Sequence, residues 1–401
     1  MPHAARRTPH AACRTPHAAR RTPPLTLAFY ISGHGFGHAS RQVEIINTIA
    51  RRIPGTRFLI RSTAAAWLLE RTLDAPFVLD PRPVDTGVVQ IDGLHLDAAA
   101  TVDRARSFYA DFDQRADADA TLLREARVAA VVCDAPPLAC TAARRAQVPC
   151  LVVANFTWDW IYEGFPAEFA AAPEVIPAIR RAYGDATAAC RLPMHGGFET
   201  VNNITDVPLV ARHATRPAAE TKHTLGLPAQ RPLALASFGG FGVRGIDLSS
   251  LDCLGDWDVV LTGQSRPPVI PAGVHFVEDA EVYDRGVRYE DLVNACDVVL
   301  TKPGYGIVSE CIASDTAIVY TPRGNFAEYP ILVRHIERWL RHAFIGQRDV
   351  LAGRWRRSLA AAAACPPPLE RPATNGADAI ADIIAGLCSV DGPSSGLPPH
   401  P

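Results

Sequence analysis

The sequence predicts an α/β protein made of two Rossmann-like, doubly wound domains in tandem, with an interdomain cleft. Three observations carry this. Short apolar runs alternate with helical stretches along most of the chain, as buried parallel strands and their crossover helices do. The alternation restarts at Pro232, behind a stretch, Asn202–Pro232, richer in Pro, Thr and charge. Each cycle opens alike, with an apolar strand running into a glycine loop: Leu25–Ser32 into Gly33–His38, and Leu233–Ser237 into Gly239–Gly242.

The first cycle continues with a helix over Ala39–Arg52 and a strand over Phe58–Arg61. A helix over Ala64–Leu73 and a short strand Phe77–Leu79 come next. Asp103–Arg127 has a helical pattern, and Ala129–Cys133 is a buried strand closed by Asp134. Leu151–Ala154 is built in the same style. The second cycle places strands at Val259–Leu261, His275–Val277, Val298–Thr301 and Ala317–Tyr320. A last helix, Asp378–Leu387, is expected near the domain junction. The implied division is an Arg/Pro repeat at 1–23, an N-terminal Rossmann-like domain at 24–205, a C-terminal Rossmann-like domain at 206–388 and a loose tail at 389–401.

Composition narrows the function. The 401 residues are 48% hydrophobic and 20% charged, with a net charge of −2. The tandem repeat that opens the chain holds five Arg and no acid in its first 22 residues, which leaves 35 basic against 42 acidic residues in the body. That balance makes no case for nucleic acid. The repeat lacks apolar periodicity, so it reads as an extension with no core to bury. Ten cysteines without a C-x-x-C pair argue against a zinc ribbon or disulfide framework and for a reducing, cytoplasmic setting. No run reaches the roughly 18–20 apolar residues a membrane span requires. Peripheral membrane contact stays open.

The most informative segment is T-K-P-G-Y-G-I-V-S-E, Thr301–Glu310, behind the apolar run Cys296–Leu300. It reads as strand, tight glycine turn and helix start. Gly304 and Gly306 allow close approach of a ligand to the backbone. The helix N-terminus behind them offers free N–H groups and a positive dipole end to phosphate. Glu310, about two turns in, can accept hydrogen bonds from sugar hydroxyls. Diphosphate plus ribose is common to every nucleotide-sugar, so Lys302, Gly304, Tyr305, Gly306 and Glu310 form a candidate donor site. Ser237, Gly239 and Gly240, in S-F-G-G-F-G, either present N–H groups to phosphate or form a steric turn. Asn325 and Glu328, in R-G-N-F-A-E-Y, are expected in the same cleft, on the donor sugar's hydroxyls, or else belong to an ordinary loop.

The first loop, S-G-H-G-F-G-H-A-S-R, has neither the G-x-G-x-x-G spacing of dinucleotide folds nor a P-loop lysine. It brings two histidines instead. An imidazole of His38, or failing that His34, can take a proton from an attacking hydroxyl, or the ring merely caps the helix. Asp134 either orients that imidazole or caps a helix before Pro136. Asn155, Trp158 and Asp159, in N-F-T-W-D-W-I-Y, suggest an acceptor wall, with plain packing the alternative. The D-x-D pairs Asp111/Asp113, Asp117/Asp119 and Asp256/Asp258 do not follow buried strands, and the first two read as a solvated helix face. No metal is expected, because a helix N-terminus can carry a leaving diphosphate's charge.

At this point the sequence resembles the GT-B glycosyltransferases, in particular the family 28-like group that includes the peptidoglycan N-acetylglucosaminyltransferase. Gly304, Gly306 and Glu310 match that group's nucleotide-binding turn and ribose glutamate, and Gly37-His38 its first-loop G-H. Arg41 stands where many such enzymes have proline. S-G-H-G-F-G-H-A-S-R, C-D-A-P-P-L-A and N-F-T-W-D-W are also similar to the N-terminal, glycosyltransferase-like half of plant L-arabinokinases. No G-L-S-S-S-type kinase loop occurs, and the resemblance covers roughly Leu25–Leu387. It implies an inverting, metal-independent hexosyltransferase that moves a sugar from a nucleotide-sugar, UDP-linked by expectation, to a hydroxyl acceptor. A GT-B UDP-sugar epimerase and a catalytically silent sugar-nucleotide-binding module are the alternatives.

Overall fold

The apolar runs become two all-parallel sheets in the computed structural model, which describes residues 24–239, 245–263 and 266–389. The expectations for residues 1–23, for Gly240 and for most of the tail lie outside the described residues. The first sheet comprises β1 (Thr26–Ile31), β2 (Arg57–Arg61), β3 (Phe77–Asp80), β4 (Ala130–Asp134), β5 (Cys150–Phe156), β6 (Ala188–Gly196) and β7 (Ile204–Asp206), in the order β3-β2-β1-β4-β5-β6-β7. The second holds β8 (Leu233–Ser237), β9 (Asp258–Gly263), β10 (Val274–Glu278), β11 (Val298–Thr301), β12 (Ala317–Tyr320) and β13 (His342–Phe344), in the order β10-β9-β8-β11-β12-β13.

Strand alternation explains the burial. In β1, Ala28 and Tyr30 face one apolar layer, and Leu27, Phe29 and Ile31 face the other. In β11, Val299 packs on one side and Val298 and Leu300 on the other. Helices therefore cover both faces of both sheets. β6, β7 and β13 have no counterpart in the sequence reading. β6 carries Arg191 and Pro193, while β7 and β13 are three-residue edge strands, too short for a pattern.

The strand order reverses between β1 and β4, and again between β8 and β11. Crevices for ligands open at such reversals, outside the carboxyl ends of the strands. The histidine loop follows β1 and Asp134 ends β4. Ser237 ends β8, and the Lys302–Gly306 turn follows β11. All four segments singled out above thus sit at the two reversal points.

The stretch read as one helix, Asp103–Arg127, is two, Ala98–Ala110 and Phe112–Glu125, separated at Asp111. Asp119 corrects the reading of a solvated D-x-D face, because it is buried and ion-paired to Arg61 at 2.6 Å. Asp258 is likewise buried, at the start of β9, and takes Arg231 at 2.8 Å and His275 at 3.0 Å. The last helix, Gly376–Ser389, lays Ile380, Ala381 and Ile384 on the first sheet's outer layer, beside helix α1 (Phe36–Arg52). Arg52 at the end of α1 binds Asp378 at 2.7 Å. The segment before that helix pairs with the connector between the sheets, through Leu209 N to Ala373 O at 3.1 Å and Gly376 N to Leu209 O at 2.9 Å. Among the described residues no helix is long and apolar enough to cross a membrane.

Candidate functional site between the two sheets

The two reversal points face each other across a cavity of about 210 Å³, lined from both halves. Gly35 holds φ 74°, a left-handed conformation, and the chain turns there from β1 into α1. The N-terminus of α1 consequently points into the cavity. The helix Tyr305–Ser314 points its own N-terminus in from the other side, behind Gly304. The two glycine turns all but touch, since a Cβ on Gly306 would lie 3.7 Å from the Gly37 Cα.

On the first half, Ile31 and Asp134 are paired in register across β1 and β4, so Asp134 lies one strand from the histidine loop. His38, in the first turn of α1, places Nδ1 3.1 Å from Asp134 Oδ1. Arg41, one turn further along α1, donates to the same carboxylate oxygen and to Asn155 Oδ1. Its Nη2 lies 3.3 Å from His38 Nδ1. Burial alone would push the Asp134 carboxyl up, but the Arg41 guanidinium and His38 outweigh it and hold the group below its ordinary value. The helix Pro137–Ala146 begins beyond Asp134 without a side-chain cap. His34 sits with Nε2 3.0 Å from Gln90 Nε2 and its ring edge-on to Trp158. Burial, then the nearby His38, Arg323 and Lys302, push His34 well below its ordinary value, which keeps it neutral.

On the second half, Lys302 enters the cavity two residues ahead of the helix cap. Burial, reinforced by Arg323 and opposed by Glu328, lowers its ammonium to about 7. Glu310 lines the cavity with its Oε1 held by Arg212, whose Nε donates at 2.8 Å. Arg212 is buried between Glu310 and Glu290, the latter at 3.0 Å. Burial raises the Glu310 carboxyl above its ordinary value against the pull of Arg212. Glu328 accepts from Arg323 Nη1 at 3.1 Å, while its other oxygen, Oε2, is buried without a hydrogen-bond partner. Arg323 lies over the Phe326 ring at 3.7 Å. Ser237 accepts from the Tyr289 hydroxyl at 2.6 Å, and Gly239 takes the left-handed φ of 73°. Tyr305 completes the wall against Phe156.

No family model matches the chain. It is 27% identical to the L-arabinokinase of Arabidopsis thaliana over 368 residues, 90% of this chain and 34% of that protein. The chain thus spans about a third of that relative's length. Among solved structures it superposes on the calicheamicin glycosyltransferase CalG4 with a TM-score of 0.60 at 15% identity, over 92% of this chain and all of that one. UGT2 of Phytolacca americana, solved with UDP-2-fluoro-glucose and pterostilbene, gives 0.57 at 13% identity over 92% of this chain and 94% of that one. The glycosyltransferase of kitacinnamycin gives 0.56 at 18%, over 92% and 94%. The chain has the GT-B fold.

Within this GT-B frame the structure gathers His34, His38, Trp158, Ser237, Gly239, Lys302, Gly304, Tyr305, Gly306, Glu310 and Glu328 around one cavity, with Asp134 directly behind His38. Three placements differ from the sequence reading. Asn325 is exposed, with its amide 3.4 Å from the Gly164 carbonyl, outside the cavity lining. Asp159 is outside the cavity lining and accepts from Arg180 Nε at 3.2 Å. Asn155 supports Arg41 and donates to the Pro193 carbonyl at 2.7 Å, behind the wall it was expected to form. Sequence reasoning passed over Arg212, Arg323 and Asp85. Asp85 accepts from the Trp158 indole N–H at 2.8 Å, and burial lifts its carboxyl to about 6. R-x-x-x-x-E, Arg323–Glu328, was a readable ion-pair signal; the other two offered none.

Proposed function

We propose that this GT-B chain is a glycosyltransferase that moves a hexosyl group from a UDP-sugar to a hydroxyl acceptor, with inversion and without a metal. The observation that carries the reading is the His38–Asp134 pair at 3.1 Å, standing opposite the N-terminus of the helix Tyr305–Ser314 across the Gly37–Gly306 approach. In this reading the diphosphate lies on that N-terminus, beside Lys302, and Glu310 accepts a ribose hydroxyl. Glu328, through its unpartnered Oε2, accepts from the sugar.

The acceptor hydroxyl enters from the first half, past Trp158. Asp134 engages His38 at Nδ1, so Nε2 is the ring atom left to take the acceptor's proton. The acceptor oxygen then bonds to the anomeric carbon as the bond to the diphosphate oxygen breaks on the opposite face. One displacement inverts the configuration. Negative charge grows on the departing diphosphate, where backbone N–H groups, the helix dipole and the Lys302 ammonium meet it.

A thermal-shift panel of nucleotide-sugars tests the donor, since a ligand that binds only the native state raises the melting temperature. Single-turnover transfer with the best donor and a panel of hydroxyl acceptors then tests the chemistry. A chain that binds UDP-sugars but neither transfers nor hydrolyses them is a silent module. The likeness to one third of an L-arabinokinase is the observation that favours this second reading.

A further inference from the structure

The His38–Asp134 pair does not stand alone. Arg41, one turn along α1, is buried beside it and lines the same cavity. Its Nη2 donates to Asp134 Oδ1, the oxygen that also faces His38 Nδ1, while Asp134 Oδ2 is buried without a hydrogen-bond partner. Nη1 donates to Asn155 Oδ1 on β5, and the Asn155 amide is anchored in turn to the Pro193 carbonyl on β6. The guanidinium is thus fixed from two strands, with Nη2 3.3 Å from His38 Nδ1.

In a simple His–Asp pair the carboxylate favours a proton on the ring, because it is the counter-charge of the imidazolium. Here the same carboxylate oxygen is paired with a guanidinium, which keeps its charge and can only donate. A proton taken up by His38 would place a second positive charge 3.3 Å from the first, and like charges at that range oppose each other. The other groups around the ring do not restore the balance. His34, in the same loop, is held neutral by burial. Asp85, from the segment after β3, is engaged by the Trp158 indole and the Ser32 hydroxyl, and burial lifts its carboxyl to about 6. Phe156 and Trp158 flank the ring itself. Across the cavity stand Lys302 and the Arg323–Glu328 pair, with no excess of negative charge.

We infer that Arg41 is a positioning residue of the transfer, which by holding Asp134 beside His38 confines this chain to acceptors with an acidic hydroxyl. The inference rests on the transferase reading above. Arg41 stands where many GT-B enzymes have proline, so the restriction does not come with the fold. In the transfer step the acceptor O–H proton passes to His38 Nε2, the acceptor oxygen bonds to the anomeric carbon, and the electron pair of the broken bond leaves with the diphosphate. A phenol parts with its proton readily and asks little of the ring. An aliphatic alcohol needs the imidazolium to form beside Arg41.

Single-turnover transfer by the whole chain tests this, with the UDP-hexose that gives the largest thermal shift, held at saturation. The acceptors are ring-substituted phenols graded in acidity, and benzyl alcohol. In the unaltered chain the rate should rise with phenol acidity, and benzyl alcohol should react at least about 10²-fold more slowly than the most acidic phenol. Arg41→Met removes the cation, and Arg41→Gln removes it while keeping a donor for Asp134. In both, the acidic limb of the pH–rate profile should move up by about 1–3 pH units, and the advantage of the acidic phenols should fall at least about tenfold. Arg41→Lys, which keeps the charge, should resemble the unaltered chain in both respects. Melting curves show which variants are folded, and either neutral variant suffices. An unaltered chain that uses benzyl alcohol as fast as the phenols overturns the inference. So does a folded neutral variant that slows every acceptor alike and leaves the acidic limb in place, because Arg41 then only braces the fold. Failure of the unaltered chain to transfer to any acceptor overturns the transferase reading, and this inference with it.

Discussion

Lys302 makes a quantitative test of the donor site. Its ammonium lies at about 7, against an ordinary 10.5, because burial disfavours the charge and Arg323 repels it. A diphosphate placed beside it favours the charged form, so binding the donor must first protonate Lys302 wherever the pH exceeds 7. The apparent Kd then scales as one plus the ratio of neutral to charged lysine. Between pH 6 and pH 8.5 it should rise about 30-fold, or about 2 kcal/mol. The phosphates of a nucleotide-sugar and Arg212 keep their charge throughout that window, so they add no slope. Lys302→Met should bind more weakly at pH 6 and show a nearly flat profile. Stability has the opposite sign. The folded-state pKa is below the unfolded one, so Lys302 costs stability below about pH 7, and the cost fades toward pH 10.5. The stability gain of Lys302→Met should shrink over the same range. Titration calorimetry and denaturant melts at five or so pH values read both effects. A steep donor-affinity profile that survives in Lys302→Met would refute the placement of the diphosphate.

His38→Ala should slow single-turnover transfer about 10²–10⁴-fold at saturating donor while donor affinity persists, and His34→Ala should slow it far less; full rate in His38→Ala would remove it as the base. Glu310→Ala should weaken donor binding by about 1–3 kcal/mol by calorimetry, with little loss of folding, because Arg212 keeps Glu290 as a partner. Asn325→Ala should leave donor affinity within about twofold, since the exposed amide makes at most a surface contact; a tenfold loss would return Asn325 to the site.

Local signals carried much of the site. Gly35 to His38 and Lys302 to Glu310 are continuous in sequence, so their turns and helix starts place them without knowledge of the rest of the chain. The residues that tune them were illegible for the converse reason. Arg41 meets Asp134 and Asn155 across 93 and 114 positions, and Arg212 meets Glu310 across 98. Asp119 looked like one more acid on a polar helix because Arg61 is 58 residues away. Loops mislead in another way. Asn325 and Glu328 are three residues apart, yet one is exposed and the other buried, and no periodicity in an irregular segment foretells which. The inner strands were read from their apolar runs, except β6, where Arg191 and Pro193 interrupt the run. The edges β7 and β13 were not, since three residues cannot display an alternation.

The return of the chain to the first sheet bears on how this protein can be taken apart. Ile380, Ala381 and Ile384 lie more than 170 positions beyond the end of β7, yet they cover the same apolar layer as Ile45, Ile46 and Ile49. A fragment cut after Asp206 would leave that layer facing water. A chimera that exchanges the second half for another therefore needs two joints, one in the connector near Leu209 and one near Ala373, where the outgoing and returning segments already pair. Recombination at those adjacent points replaces the second half as a single inserted cassette, and leaves the histidine-bearing half with its covering helix.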